Sequence, residues 1–159
     1  PNYFAGWRGE YYNSANYARI WPANVPPVWP DSVSNNLVVV RDDRPSGPDF
    51  PGEEGEGLYY DWGLGSPAGG ISTDYFSARW TRSVQLPGGY YRFYLRTDDG
   101  ARLIIDGVTY IDKWRPEGSP QAATTFTSDI YLSPGNHTIQ VEYQELVGSA
   151  TLRLWWDLR

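Results

Sequence analysis

Two adjacent carboxylates followed by a glycine, Thr97-Asp98-Asp99-Gly100, fall between two stretches of alternating apolar residues. Side-by-side acids at such a point can offer hard oxygen ligands to a divalent cation. An ion such as Ca²⁺ takes about six to eight oxygens, so the pair supplies part of a site and needs a second source. The segment Gln144-Glu145-Leu146-Val147-Gly148-Ser149, also between two alternating stretches, offers a carboxylate, an amide and backbone carbonyls. Together the two loops could complete an oxygen cage. Asp99-Gly100 is equally a hairpin-turn signal, which leaves an ordinary acidic turn as the alternative.

Other chemistries find less to work with. His137, in Gly135-Asn136-His137-Thr138, is the single histidine, and there is no cysteine, so imidazole clusters, thiolate metal sites and cysteine nucleophiles are absent from the chain. The glycine-rich stretch 63–70 lacks the lysine of a phosphate-gripping loop. None of the acids is singled out as a hydrolytic pair by spacing. A non-catalytic module is expected. Thirteen basic against nineteen acidic residues give a net charge of −6, the wrong sign for phosphate-rich partners, so nucleic acid and anionic membrane are not expected. Six acids (Asp42, Asp43, Asp49, Glu53, Glu54 and Glu56) crowd into 42–57 with three prolines and four glycines, which reads as one long surface loop, itself an alternative source of ligands.

The elements that must position these residues are short strands. Period-two alternation is clearest at 76–84, 91–96, 138–143 and 151–156, with further candidates at 10–13, 37–41, 59–62, 102–106, 109–113 and 125–132. Phe76, Ala78, Trp80 and Val84 predict a buried face, and Ser77, Arg79, Thr81 and Ser83 a wet one. Asp106-Gly107 predicts a tight hairpin, and Pro87-Gly88-Gly89 and Pro134-Gly135-Asn136 predict turns. About ten short strands with turns and long loops, 114–123 among them, give an all-β, antiparallel sandwich of jelly-roll or barrel-like form. One domain is expected over 1–159. With no methionine, position 1 included, the chain is expected to be a piece of a longer protein. No basic-then-apolar leader or bilayer-spanning run is present, so membrane insertion is not expected.

An ordered motif series then carries a resemblance. Trp7-Arg8-Gly9-Glu10-Tyr11-Tyr12, Asp74-x-Phe76-Ser77-x-Arg79-Trp80-Thr81, Gly89-x-Tyr91-x-Phe93, the run Arg96-Thr97-Asp98-Asp99-Gly100-x-Arg102-Leu103-x-Ile105-Asp106-Gly107, Ile111-Asp112-x-Trp114, Gly135-x-His137 and Val141-Glu142-Tyr143 cover nearly the whole chain. They resemble the protective-antigen fourteen-kilodalton domain, a module of toxins, adhesins, glycosidases and secreted bacterial proteins. The resemblance implies a β-sandwich and, as in the family's lectins, Ca²⁺ held by consecutive aspartates joined through a cis peptide. The implied metal set is Asp98, Asp99 and Glu145 with the carbonyls of Val147 and Ser149. Glu145 stands where the lectins carry Asn, which adds a charge and a methylene.

The expected ligand positions are Asp98, Asp99, Gln144 and Trp114, with Tyr110, Trp155 and Tyr94 as further stacking candidates. The expectation is a calcium-dependent, lectin-like carbohydrate-binding module, secreted or at the cell surface, possessing a glycan or cell-surface polysaccharide partner and monomeric as a module. The alternative is a non-catalytic structural or protein-interaction accessory domain that packs on neighbouring domains of its chain.

Overall fold

The structure is a computed structural model in which residues 6–13, 37–43, 57–115 and 122–159 are described. Ten strands follow in chain order among them: β1 (Trp7–Tyr12), β2 (Leu37–Asp43), β3 (Leu58–Gly63), β4 (Phe76–Leu86), β5 (Gly89–Asp98), β6 (Gly100–Ile105), β7 (Val108–Asp112), β8 (Thr124–Leu132), β9 (Gly135–Glu145) and β10 (Ala150–Leu158). They form a six-stranded sheet, β2-β1-β4-β9-β6-β7, and a four-stranded sheet, β3-β10-β5-β8. Every pairing is antiparallel. The architecture is the all-β sandwich the alternation predicts.

Alternation decides which side chains meet between the sheets. Tyr91, Phe93 and Leu95 of β5 and Leu152, Leu154 and Trp156 of β10 are buried, as are Phe76, Ala78 and Trp80 of β4 and Ile139, Val141 and Tyr143 of β9. Aromatic rings fill much of this layer: Tyr60 and Trp62 stack on each other and both lie parallel to Trp80. The Asp106-Gly107 hairpin joins β6 to β7, and both residues adopt positive φ, 51° and 81°, as a tight hairpin of this hand requires.

Two expectations change. Ser77 and Arg79 are fully buried, so the outer face of β4 is not wet there. Glu142 explains the burial of a charge: Arg79 donates from Nε at 3.1 Å and lies within 2.9 Å through its terminal nitrogen, while Arg102 approaches the other carboxylate oxygen at 3.4 Å. Arg102 also pairs with Asp112 and lies under the Trp114 ring at 4.6 Å, which covers this part of the sheet.

The acidic stretch 42–57 does not begin as a loop. Asp42 and Asp43 complete β2, and Asp43 is buried because Trp80 Nε1 (2.8 Å), the Tyr11 hydroxyl and Arg41 Nε (2.5 Å) all donate to its carboxylate. Residues 44–56, with Asp49, Glu53, Glu54 and Glu56, lie outside the described residues, as do 116–121 of the second loop.

Candidate functional site

The Asp98-Asp99 pair lies where the chain crosses from one sheet to the other. β5 belongs to the four-stranded sheet and β6 to the six-stranded sheet, so Asp99 is the link between layers. The segment 146–149 makes the reverse crossing, from β9 to β10. The two crossings lie side by side and bring Asp98, Asp99 and Glu145 together, each presenting one carboxylate oxygen within 4.8 Å of the others. The aspartates therefore do not project from a hairpin tip. Asp99 and Glu145 are 0% exposed, and Asp98 is partly covered.

Local hydrogen bonds hold the corner in shape. The peptide bond between Asp98 and Asp99 is cis. Asp99 Oδ2 accepts from the Leu146 amide at 2.7 Å, tying one crossing to the other, and the Thr97 hydroxyl donates to the Asp99 carbonyl at 3.0 Å. The Tyr143 hydroxyl donates to the Asp98 carbonyl and lies 3.1 Å from Glu145 Oε2. The other crossing is anchored by the Tyr75 amide, which donates to Leu146 O, and by Asp74, which accepts from the Gly148 amide.

The electrostatics suit a cation. Burial, followed by the neighbouring Asp99 carboxylate, pushes Glu145 up to about 9, and burial with the same neighbour raises Asp98 to about 6. Glu145 Oε1 is buried with no hydrogen-bond partner. Three clustered carboxylates with an oxygen left over form a hard donor set of the kind that oxygen-seeking divalent cations take. The fit extends to Asp98, Asp99 and Glu145. Val147, whose carbonyl the resemblance adds, lies in the same crossing with its side chain exposed, and Ser149 is exposed beside β10.

The other candidate residues separate. Gln144 is buried and engaged at both ends: its Oε1 accepts from the Arg115 amide at 2.8 Å and its Nε2 donates to the Arg115 carbonyl at 3.1 Å. Gly100 makes room for this clamp, since a Cβ there would meet Gln144 Oε1 and come within 2.9 Å of Lys113 O. Trp114, 8% exposed, lies against Arg102. Tyr110 is exposed on β7, in the six-stranded sheet. Tyr94 and Trp155, widely separated in sequence, are Cα partners on β5 and β10 and stack at 4.9 Å on the outer face of the four-stranded sheet. Tyr143 was not among the candidates; it sits two residues before Glu145, on the same face of β9, and that spacing is the signal that could have found it.

Comparison with known proteins places these features. A profile of the PA14 domain matches residues 58–159. The anti-sigma-I factor RsgI3 of Acetivibrio thermocellus is 33% identical over 155 residues, 96% of this chain and 19% of that protein. A solved anti-sigma factor domain-containing protein is 34% identical, with a TM-score of 0.72, over 97% of this chain and 43% of its own. A second, from Clostridium clariflavum, is 27% identical with a TM-score of 0.68, over 96% and 42%. The chain thus spans about a fifth of the curated relative and under half of the solved ones.

These findings correct the functional expectation. Similarity across nearly the whole chain, at 27–34% identity, is to anti-sigma factor domain-containing proteins, which overturns the lectin expectation. The carboxylate cluster agrees with the correction, because Asp99 and Glu145 are fully buried in a sheet crossing and, among the described residues, the cluster is no open calcium-sugar pocket. The expected glycan partner is not supported, and calcium-dependent carbohydrate binding, lectin-like in kind, ceases to describe the function. The non-catalytic character stands, as PA14 and anti-sigma factor domains are non-catalytic modules, and an extracellular, cell-surface-facing placement agrees with those architectures. With the profile matched over well more than half its length and the sandwich in place, the chain belongs to the PA14 domain family.

Proposed function

We propose that this domain is a non-catalytic protein-interaction module of a longer, anti-sigma-factor-type regulatory protein, displayed outside the cell. The observation that carries the reading is the 34% identity over 97% of the chain to an anti-sigma factor domain-containing protein. Fold alone would not select this role, because sandwiches of one topology serve many functions. In the longer protein the sandwich presents a rigid surface to another protein or to a neighbouring domain, and the regulatory output belongs to the rest of the chain. The test is in-frame excision of this domain from the protein that carries it, read with a reporter under the control of the cognate sigma factor. A changed reporter response supports the reading. An unchanged response, from a protein that still accumulates at the cell surface, would overturn it.

Within that role the carboxylate corner serves as a brace. Asp98, Asp99 and Glu145 would hold a hard divalent cation, with Ca²⁺ the first to try. The ion would supply positive charge between carboxylates that otherwise repel one another. The residues of the chain do the remaining work: Tyr143 fixes the Asp98 carbonyl, and the Leu146 amide holds Asp99 against the second crossing.

A further inference from the structure

Each sheet ends in two edge strands, β2 and β7 in the larger and β3 and β8 in the smaller. An edge presents backbone N–H and C=O groups that its own sheet leaves unpaired, and a bulge is one means of blunting it. Three of the four edges carry one. β2 has an extra residue at Val38, β3 at Trp62 and β7 at Tyr110, each set against a neighbour that runs without interruption. β8 has none: Thr124–Leu132 pairs with β5 through nine consecutive residues without a shift, and it contains neither proline nor lysine.

Pairing decides which way each backbone group of β8 points. The Arg159 amide donates to the Tyr90 carbonyl at 2.7 Å, so the even-numbered residues of β5 bond to β10 and the odd-numbered ones to β8. The register then turns Phe126, Ser128 and Ile130 toward β5 and leaves the amides and carbonyls of Thr125, Thr127, Asp129 and Tyr131 facing away from the sheet. Their four side chains are exposed on its outer face. Among the described residues, no backbone group bonds to this free side of β8.

The surroundings of the edge select what it can take. Asp129 is already answered by a two-point pair with Arg92, at 2.7 and 3.0 Å, so its charge calls for no partner. Tyr131, 59% exposed, meets the Tyr90 ring edge-on at 5.2 Å and leaves its far side open to another side chain. On the inner side Phe126 is half-buried at the margin of the core, with the Lys113 ammonium over its ring at 4.9 Å. A strand added here sets its outward side chains beside two threonines and a tyrosine, where β-branched and aromatic neighbours pair well, and its inward side chains against the core margin.

We propose that β8 receives an uncharged, extended segment of a protein partner, which adds to the four-stranded sheet as a fifth strand. The segment alternates hydroxyl-bearing or aromatic residues, facing outward, with apolar residues facing the core margin. Main-chain hydrogen bonds supply the affinity and the alternation supplies the choice of sequence. This docking rests on the protein-interaction reading and gives that reading a location.

The experiment titrates the isotope-labelled 159-residue chain with a capped synthetic peptide of alternating Thr and Val. In an antiparallel pair, residues that exchange hydrogen bonds share a face, so the threonines of the peptide bond to β8 and its valines do not. The expected result is slowed amide exchange at Thr125, Thr127, Asp129 and Tyr131. A peptide N-methylated at its threonines should bind more weakly by about tenfold or more, while one N-methylated at its valines keeps its affinity. Thr127→Pro removes an outward donor alone, so it should weaken the peptide by about the same factor with the melting temperature near that of the wild type. Ser128→Pro, which removes a bond to β5, should lower the melting temperature instead.

Equal affinities of the two N-methylated peptides, slowed exchange confined to other strands, or no binding at all would overturn the proposal. So would a chain that ignores the peptide and instead self-associates in sedimentation, with Thr127→Pro returning it to the monomer, since the occupant would then be a second copy. A Thr127→Pro protein that behaves as wild type in the reporter, when excision of the domain does not, would remove this edge and leave the protein-interaction reading standing.

Discussion

Gly9 sits opposite Arg41 in the β1–β2 pair, directly against the buried carboxylate of Asp43. A Cβ at this position would run into Asp43 Oδ2 and come within 3.2 Å of Trp80 Cδ1. The carboxylate has nowhere to retreat, since Trp80, Tyr11 and Arg41 all hold it. Gly9→Ala is therefore expected to destabilise the fold by about 1–3 kcal/mol, the usual cost of overfilling a packed site. Chemical denaturation checks it, and a variant as stable as wild type would mean that Asp43 is less firmly held. The same residue shows where reading from composition stops. Asp43 counts as one of six acids in a proline- and glycine-rich run, and although Arg41 stands two residues before it on the same strand, nothing local marks it as the acceptor of a tryptophan and a tyrosine from two other strands.

At the scale of elements, local pattern is most informative where one face of a strand is wet. β5 and β10 alternate cleanly because their outer faces meet solvent, and both are legible from the sequence alone. β6 is buried along its whole length, and the outer positions Ser77 and Arg79 of β4 are buried by a polar network, so periodicity gives their place but not their surroundings. The start of β9 carries an element-scale switch of the same non-local kind. His137 Nδ1 lies 2.6 Å from Asp106 Oδ2 in the β6–β7 hairpin, and Nε2 lies 2.7 Å from the Ser133 carbonyl. Both ring nitrogens face acceptors, which calls for the doubly protonated imidazolium. Its hydrogen bond to Asp106, followed by that to Ser133, raises the His137 pKa above the ordinary 6.5. A raised folded-state value means stability that is fully present below about 6.5 and is lost as pH rises through the folded value. His137→Gln should flatten the stability profile in the window above 6.5. An NMR titration of the ring that shows no rise in pKa would refute the switch.

For the whole molecule, what matters is that the two sheets are joined by adjacent crossings and that the carboxylates meet where they pass. The residue identities were legible: the Asp98-Asp99 pair and Glu145 stand out in the sequence and in its motif series. Their burial was not, because Asp99-Gly100 has the local form of a hairpin, and only the assignment of β5 and β6 to different sheets turns it into a corner. The ionic brace proposed there has a global signature. A cation bound by the folded chain alone stabilises it by RT ln(1 + [L]/Kd), about 2.7 kcal/mol at about a hundredfold excess over Kd, so calcium added to metal-free protein should raise the melting temperature and chelator should reverse the gain. Glu145→Gln keeps the shape of the corner while removing one carboxylate from the cluster. Without cation this variant should melt at or above the wild-type temperature, since the fold no longer has to hold a buried carboxyl protonated far above its ordinary pKa, and it should gain little from calcium. Hydrogen exchange localises the effect: in the wild type, calcium should slow exchange at the Leu146 amide, which donates to Asp99 across the crossings. A melt and an exchange rate that ignore both calcium and chelator would remove the brace and leave the corner as a buried acidic joint held by Tyr143 and the Leu146 amide.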